Sequence, residues 1–260
     1  MTNHSGPQAL TEYVLHSADD KVNKQFTQLL LQGILAGIYI AIGAIGYFKI
    51  AASTTDPGLG VFLGALVFPV GIIAIILMHT ELYTSGCMSM IAVYARQAKL
   101  VQILRVLIII LCSNFIGGVA IAYLSNASGI FNEKVMELII DKTLHKVHMP
   151  FNELFFSSIL CNIIVSTGVC LAYSCRDEIS KIVSIWLAIT VFVLTGTEHV
   201  VANMYYLFAG YFGGADVSLM GIAYNLSVAA VGNLIGGGVI VSGFNYLISR
   251  KDINMTAKAK

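Results

Sequence analysis

Residues 57–95 read PGLGVFLGALVFPVGIIAIILMHTELYTSGCMSMIAVYA, 39 positions with one charged side chain, Glu81. As one helix the stretch would run about 58 Å, about twice the hydrocarbon thickness of a bilayer. Two crossings joined by a turn would need more residues. The economical solution is a helix that enters the membrane, breaks around Glu81 to Gly86, and continues obliquely. Thr84-Ser85-Gly86 supplies hydroxyls and a permissive backbone for the break. Irregular backbone at that depth is tolerated only inside protein or along a cavity, so the break predicts an internal path.

The rest of the chain agrees with a membrane setting. Of 260 residues, 57% are hydrophobic and 11% charged, with a mean hydropathy of +0.81. Soluble domains carry roughly 25% charged residues, so the depletion predicts a lipid-facing surface. A formal net charge of +1 predicts no nucleic-acid partner. Runs free of Asp, Glu, Lys and Arg cover Gln25 to Phe48, Pro57 to Thr80, Val106 to Asn132, Leu154 to Cys175 and Val217 to Ser249. Each is long enough for the roughly 20 residues a crossing needs. Ile182 to Ala215 is a sixth, interrupted once, by Glu198.

Six crossings put both termini on one side, and positive charge chooses it. Lys21, Lys24, Arg96, Lys99, Arg105, Arg176, Lys181, Arg250, Lys251, Lys258 and Lys260 fall on the side of the termini. Lys49, Lys134, Lys142 and Lys146 fall on the other. Eleven against four predicts cytoplasmic termini and a multi-pass protein of the cell inner (cytoplasmic) membrane. Residues 1–25, with Asp19, Asp20, Lys21 and Lys24 among polar neighbours, lack the early apolar core of a secretory signal and read as a cytoplasmic amphipathic segment. The transmembrane domain spans 26–250 and a cytoplasmic tail follows at 251–260.

Two landmarks repeat. Asn114-Phe115-Ile116-Gly117-Gly118 returns as Asn233-Leu234-Ile235-Gly236-Gly237, and Thr80-Glu81 returns as Thr197-Glu198, at offsets of 119 and 117 residues. The halves, 26–125 and 151–250, then hold three crossings each, joined by an outer connection at 126–150. An odd number of crossings inserts the second half from the opposite side, an inverted repeat. Segment five repeats the break around Thr195-Gly196-Thr197-Glu198-His199. Paired broken helices point to a substrate path at the midplane. The expected fold is an all-α integral membrane protein of six transmembrane helices, arranged as two inverted three-helix repeats with broken second and fifth helices.

An intramembrane carboxylate is costly, at least ~2.5 kcal/mol at a helix centre, so Glu81 and Glu198 at matching positions imply use. They either ligate a cation or accept hydrogen bonds from the freed amides of their own broken helices. The second reading is preferred, because two carboxylates are few for a cation site and the helix N-termini beyond the breaks favour an anion. His199 sits at a break, and an imidazole titrating near about 6.5 can exchange a proton with a weak-acid anion. Thr84, on the opposing break, can hydrogen-bond the same ligand.

The stretch Gly196-Thr197-Glu198-His199-Val200-Val201-Ala202-Asn203-Met204 resembles the formate/nitrite transporter signature, Gly-aromatic-Glu-His-Ser-small-Ala-Asn-Met. Glu81-Leu82-Tyr83-Thr84-Ser85-Gly86 is similar to that family's other break. Lys146 and Asn162 fall where the family has a vestibule lysine and a pore asparagine, and Asn233 with its glycines fits the sixth helix. The resemblance covers roughly residues 25 to 250. It implies a channel for formate, nitrite or hydrosulfide, a homopentamer, and an aquaporin-like pore in every protomer with proton sharing at a central histidine. By that likeness His199, Thr84, Lys146, Asn162 and Asn203 belong to the substrate pathway. Phe68, Ile72 and Phe192 would form the outer constriction, Leu82 and Tyr83 the inner one, and Glu81 and Glu198 would stabilise the breaks. Thr197 for an aromatic, Val200 for Ser and Tyr83 for Phe depart from the pattern and bear on which anion is preferred.

Three other readings fit less of the chain. A water or glycerol channel shares the two-half plan, yet no Asn-Pro-Ala occurs, and Pro7, Pro57, Pro69 and Pro150 lie away from the predicted breaks. A membrane enzyme with a metal among His79, Glu81, Glu198 and His199 lacks a hydrolase spacing such as His-Glu-x-x-His. A purely structural scaffold leaves the duplicated breaks unused. No cofactor and no metal site is expected, and Cys87, Cys112, Cys161, Cys170 and Cys175 read as buried packing residues.

Overall fold

The computed structural model describes residues 7–258, with side chains from residue 10 to residue 250. Residues 1–6 of the expected N-terminal segment, Lys260, and the side chains of Lys251 and Lys258 lie outside the described residues. The helices are α1 (Pro7–Asn23), α2 (Phe26–Ser53), α3 (Pro57–Val67), α4 (Val70–Leu77), α5 (Tyr83–Gly86), α6 (Met90–Tyr94) and α7 (Leu100–Ala127). They continue with α8 (Glu133–Val147), α9 (Phe151–Ser174), α10 (Glu178–Thr195), α11 (Val200–Phe212), α12 (Leu219–Asn233) and α13 (Ser242–Lys258). A 3-10 turn, Cys87–Ser89, joins α5 to α6, and a π-helical stretch, Leu234–Val241, joins α12 to α13.

No strand occurs among the described residues, and six helical spans are long and apolar enough to cross a membrane. Their outward faces carry Leu31, Ile108, Phe156, Leu187, Val191 and Leu247, all exposed, as lipid contact requires. The chain is an all-helical, multi-pass membrane protein. Polar caps start several helices where the sequence supplies them. Asp56, Asn132, Asp177 and Ser218 accept hydrogen bonds from the amides of Leu59, Val135, Ser180 and Gly221, which satisfies donors that a helix start leaves free. The Ser180 amide and hydroxyl hold the Asp177 carboxyl below its usual range.

Small residues let the helices touch along their backbones. A Cβ on Gly37 would collide with the Asn114 carbonyl, and one on Gly117 with the Ile34 carbonyl, so α2 and α7 lie backbone to backbone. In the second half Gly232 faces Ser158 and Gly236 faces the Ile159 carbonyl in the same way. The glycine run 236–238 is helical, and its π-helical winding carries no sequence signal that hydrophobic periodicity reveals.

Three local expectations need correction. The first break lies at Met78–Leu82, and Thr84-Ser85-Gly86 is already helical; the turn is made by His79 at φ 50°, with Gly86 in ordinary right-handed geometry. Pro69 stands at a second interruption, between α3 and α4, because proline has no N–H to continue the ladder. There the indole Nε1 of Trp186 donates to the Leu66 carbonyl at 2.7 Å. Cys112 is exposed on α7, and Cys170 and Cys175 are half-buried, so only Cys87 and Cys161 are core residues. Past Arg250, where the last apolar span ends, α13 continues as helix as far as Lys258.

Candidate transport pathway

The second break begins where α10 ends at Gly196, whose φ of 64° is a left-handed conformation that glycine adopts without steric cost. Thr197 and Glu198 lie outside any helix, and His199, in extended geometry, caps α11. Asn233 holds this turn from α12. Its Nδ2 donates to the carbonyls of Glu198 (2.9 Å) and Ser158 (2.7 Å), and its Oδ1 accepts from the Val200 amide (2.9 Å).

The first break is held the same way by Asn114 of α7. Nδ2 donates to the carbonyls of Glu81 (2.9 Å) and Gly33 (2.8 Å), while Oδ1 accepts from the Tyr83 amide (2.9 Å). The asparagines that marked the repeat in sequence are therefore the residues that satisfy the interrupted backbone. Left unpaired, each such buried group would cost about 1–3 kcal/mol.

This frees the glutamates for other partners. The expectation that they accept the amides of their own helices is replaced by ion pairs. Glu198, 1% exposed, takes the Lys146 ammonium on Oε1 and the Asn203 amide on Oε2, both at 2.6 Å. Glu81 takes Lys24 on Oε1 at 2.8 Å and Lys21 on Oε2 at 3.3 Å. Lys24 and Lys146 both come from just before the first long helix of a half, after α1 and within α8. Nothing in the spacing of Lys21 and Lys24 from Glu81 reveals this pairing.

Thr84 and His199 meet between the breaks, Oγ1 to Nε2 at 3.1 Å, both buried. His199 Nδ1 accepts from the Ala202 amide at 3.1 Å, so that nitrogen carries a lone pair. A neutral ring then keeps its proton on Nε2 and donates it to Thr84, which leaves the threonine hydroxyl hydrogen for another acceptor.

Phe192 lies 5.5 Å, ring to ring, from His199 and 6.1 Å from Phe68. Ile72, Leu82 and Tyr83 are buried as well, the Tyr83 hydroxyl donating to the Ala230 carbonyl at 3.0 Å. Beyond Phe192 a cavity of about 100 Å³ is lined by Lys146, Glu198, Asn203, Thr197 and Tyr206 among others. Asn203 spends its Nδ2 on Glu198 and on Asn225 Oδ1 (2.8 Å), and its buried Oδ1 has no partner among the described residues. Asn162 is fully buried and donates to the carbonyls of Thr84 (3.1 Å) and Asn233 (2.6 Å).

The two glutamates of the His79, Glu81, Glu198 and His199 set have separate partners: Glu81 pairs with Lys21 and Lys24, Glu198 with Lys146. Among the described residues no set of three or more His, Cys, Asp or Glu side chains is placed to hold a metal.

Apolar spans, two interrupted helices and a buried polar pair between apolar side chains define a membrane transport protein of the channel type. The family model described as formate/nitrite transporter matches residues 8–247. The chain belongs to the formate/nitrite transporter family. It is 32% identical over 244 residues to the formate channel BtFdhC of Bacillus thuringiensis, covering 92% of this chain and 93% of that one. It is 29% identical to the formate channel FocA of Haemophilus influenzae, covering 94% of each chain. Among solved structures, an FNT family ion channel superposes with a TM-score of 0.80 at 24% identity, over 94% of this chain and 98% of that one, a likeness of fold. A pentameric formate channel with formate bound superposes with a TM-score of 0.74 at 26% identity, over 86% and 97%.

Proposed function

We propose that this protein is a channel, not an enzyme, for small monovalent weak-acid anions, formate first and nitrite or hydrosulfide as alternatives. The observation that carries the reading is the buried Thr84–His199 pair between apolar side chains. A bare anion crossing an apolar ring meets a large desolvation penalty, and taking a proton from the outer water before it enters the ring removes most of it. In this scheme Lys146 draws the anion into the outer vestibule, with its charge partly spent on Glu198. The unpartnered Asn203 carbonyl suits a hydroxyl hydrogen of the protonated acid. The acid passes Phe68, Ile72 and Phe192, and Thr84 presents its hydroxyl hydrogen to the carboxyl oxygen. Leu82 and Tyr83 form the inner ring.

His199 takes part as a donor to Thr84. Sharing its own proton further requires Nδ1 to gain one and release the Ala202 amide, so full transfer costs the α11 cap. Glu81 and Glu198 brace the breaks through their lysines. The matched contacts at the two breaks support the inverted repeat, and the excess of Lys and Arg on the side of the termini supports termini in the cytoplasm of a cell inner membrane. The neighbour described as pentameric supports a homopentamer with one pore per protomer.

Proteoliposome flux of formate, nitrite and hydrosulfide, with chloride and glycerol as controls, tests the reading. Weak-acid flux with neither control moving is the expected result. Glycerol moving while the acids do not would overturn it.

A further inference from the structure

We infer that Asn162 is a positioning residue that sets the Thr84–His199 pair, rather than a contact of the permeating solute. The inference rests on the reading of that pair as the centre of the path. The likeness of the two halves fails at one place. Asn114 donates to the Gly33 carbonyl and Asn233 to the Ser158 carbonyl, which makes Gly33 and Ser158 equivalent. One turn further on, the equivalent residues are Gly37 and Asn162. Gly37 lies directly against the Asn114 carbonyl, and Asn162 Nδ2 lies against the Asn233 carbonyl at 2.6 Å. The first break is held without any side chain at this position. An asparagine there is therefore not a requirement of the break.

What Asn162 adds is a bond to the other half. Nδ2 also donates to the Thr84 carbonyl at 3.1 Å. A closed ring results, running from Asn162 to Thr84, through its hydroxyl to His199, along the backbone to Val200, to the Asn233 side chain, and back through the Asn233 carbonyl. The amide is fixed in turn, because its Oδ1 accepts from Ser166 at 3.2 Å and Gly237 leaves no space for it to swing: a Cβ there would collide with Nδ2. Both hydrogens of Nδ2 are thus committed to carbonyls, and no donor remains for a solute. The equivalent of Thr84 in the second half is Val201, which has no hydroxyl to aim, in keeping with the lack of a brace at Gly37.

The test compares Asn162→Ala and Asn162→Gly, the residue of the other half, with Thr84→Val and with the double variants. Formate flux is one readout. The second needs no solute: the ¹⁵N-histidine NMR signal of the His199 Nε2–H, assigned by its loss in His199→Asn. Each Asn162 variant is expected to lower formate flux by about tenfold, the size of one misplaced hydrogen bond. It is also expected to speed solvent exchange of the Nε2–H. Adding it to Thr84→Val should lower flux no further, since both changes act on one group. An unchanged Nε2–H signal, or losses that multiply in the double variant, would overturn the inference. Failure of both Asn162 variants to fold would also overturn it, by making the brace a requirement of the fold. Wild-type protein that conducts no formate but shows the NMR change would sink the channel reading and leave the positioning claim standing.

Discussion

At His199 one side chain serves two purposes through two nitrogens, and substitution separates them. Asparagine is a good N-cap acceptor, so His199→Asn keeps the hydrogen bond to the Ala202 amide and loses the donor to Thr84. We expect a loss of formate flux together with a smaller loss of thermal stability in detergent than any substitution that also removes the cap. His199→Phe loses the cap as well, and its unfolding midpoint should fall by the equivalent of about 1 kcal/mol. Equal flux in wild type and His199→Asn would remove the histidine from the mechanism. Lys146 and Glu198 make a second residue-scale case. Lys146→Met strands a carboxylate that is 1% exposed, at a cost of about 3–5 kcal/mol. Lys146→Met combined with Glu198→Gln should recover most of that stability, read by unfolding in denaturing detergent. A double variant no more stable than the single would mean that the pair does not carry the cost.

At the scale of elements the glycines decide how closely helices approach. Gly117 and Gly236 face the carbonyls of Ile34 and Ile159, where a Cβ cannot fit. Gly117→Ala and Gly236→Ala should each lower stability by about 1–3 kcal/mol through overpacking. Gly243→Ala is the control, since its Cβ would meet only a Tyr94 ring atom at 3.9 Å. Measured unfolding midpoints should rank the control beside wild type. Element lengths and the two breaks were legible in the sequence because charge-free runs and misplaced glutamates are properties of composition and order. The start of the first break was not, since a left-handed His79 and a helical Gly86 reverse the usual residue preferences.

For the whole molecule the prediction concerns pH and assembly. Lowering the external pH raises the fraction of neutral acid, so the flux of formate, nitrite or hydrosulfide should increase as pH falls, with chloride flat. Flux that falls with acidity would remove the protonation step from the scheme. Native mass spectrometry should find five copies of the 28.0 kDa chain, and a monomer or dimer would overturn the proposed pentamer.

Sequence by itself determined the six apolar spans, the place of the two glutamates at the interruptions and the repeat of the asparagines. These follow from hydrophobic length and from local patterns that keep their spacing wherever the chain goes. It also supplied Thr84 and His199 as opposing candidates, through their place beside matching breaks. Only the tertiary structure decided their partners. Lys24 meets Glu81 across 57 residues, Lys146 meets Glu198 across 52, and Asn162 reaches Thr84 across 78. Hydrogen bonds and ion pairs act over a few ångströms in space, and no local pattern encodes which distant groups the packing of helices will bring that close.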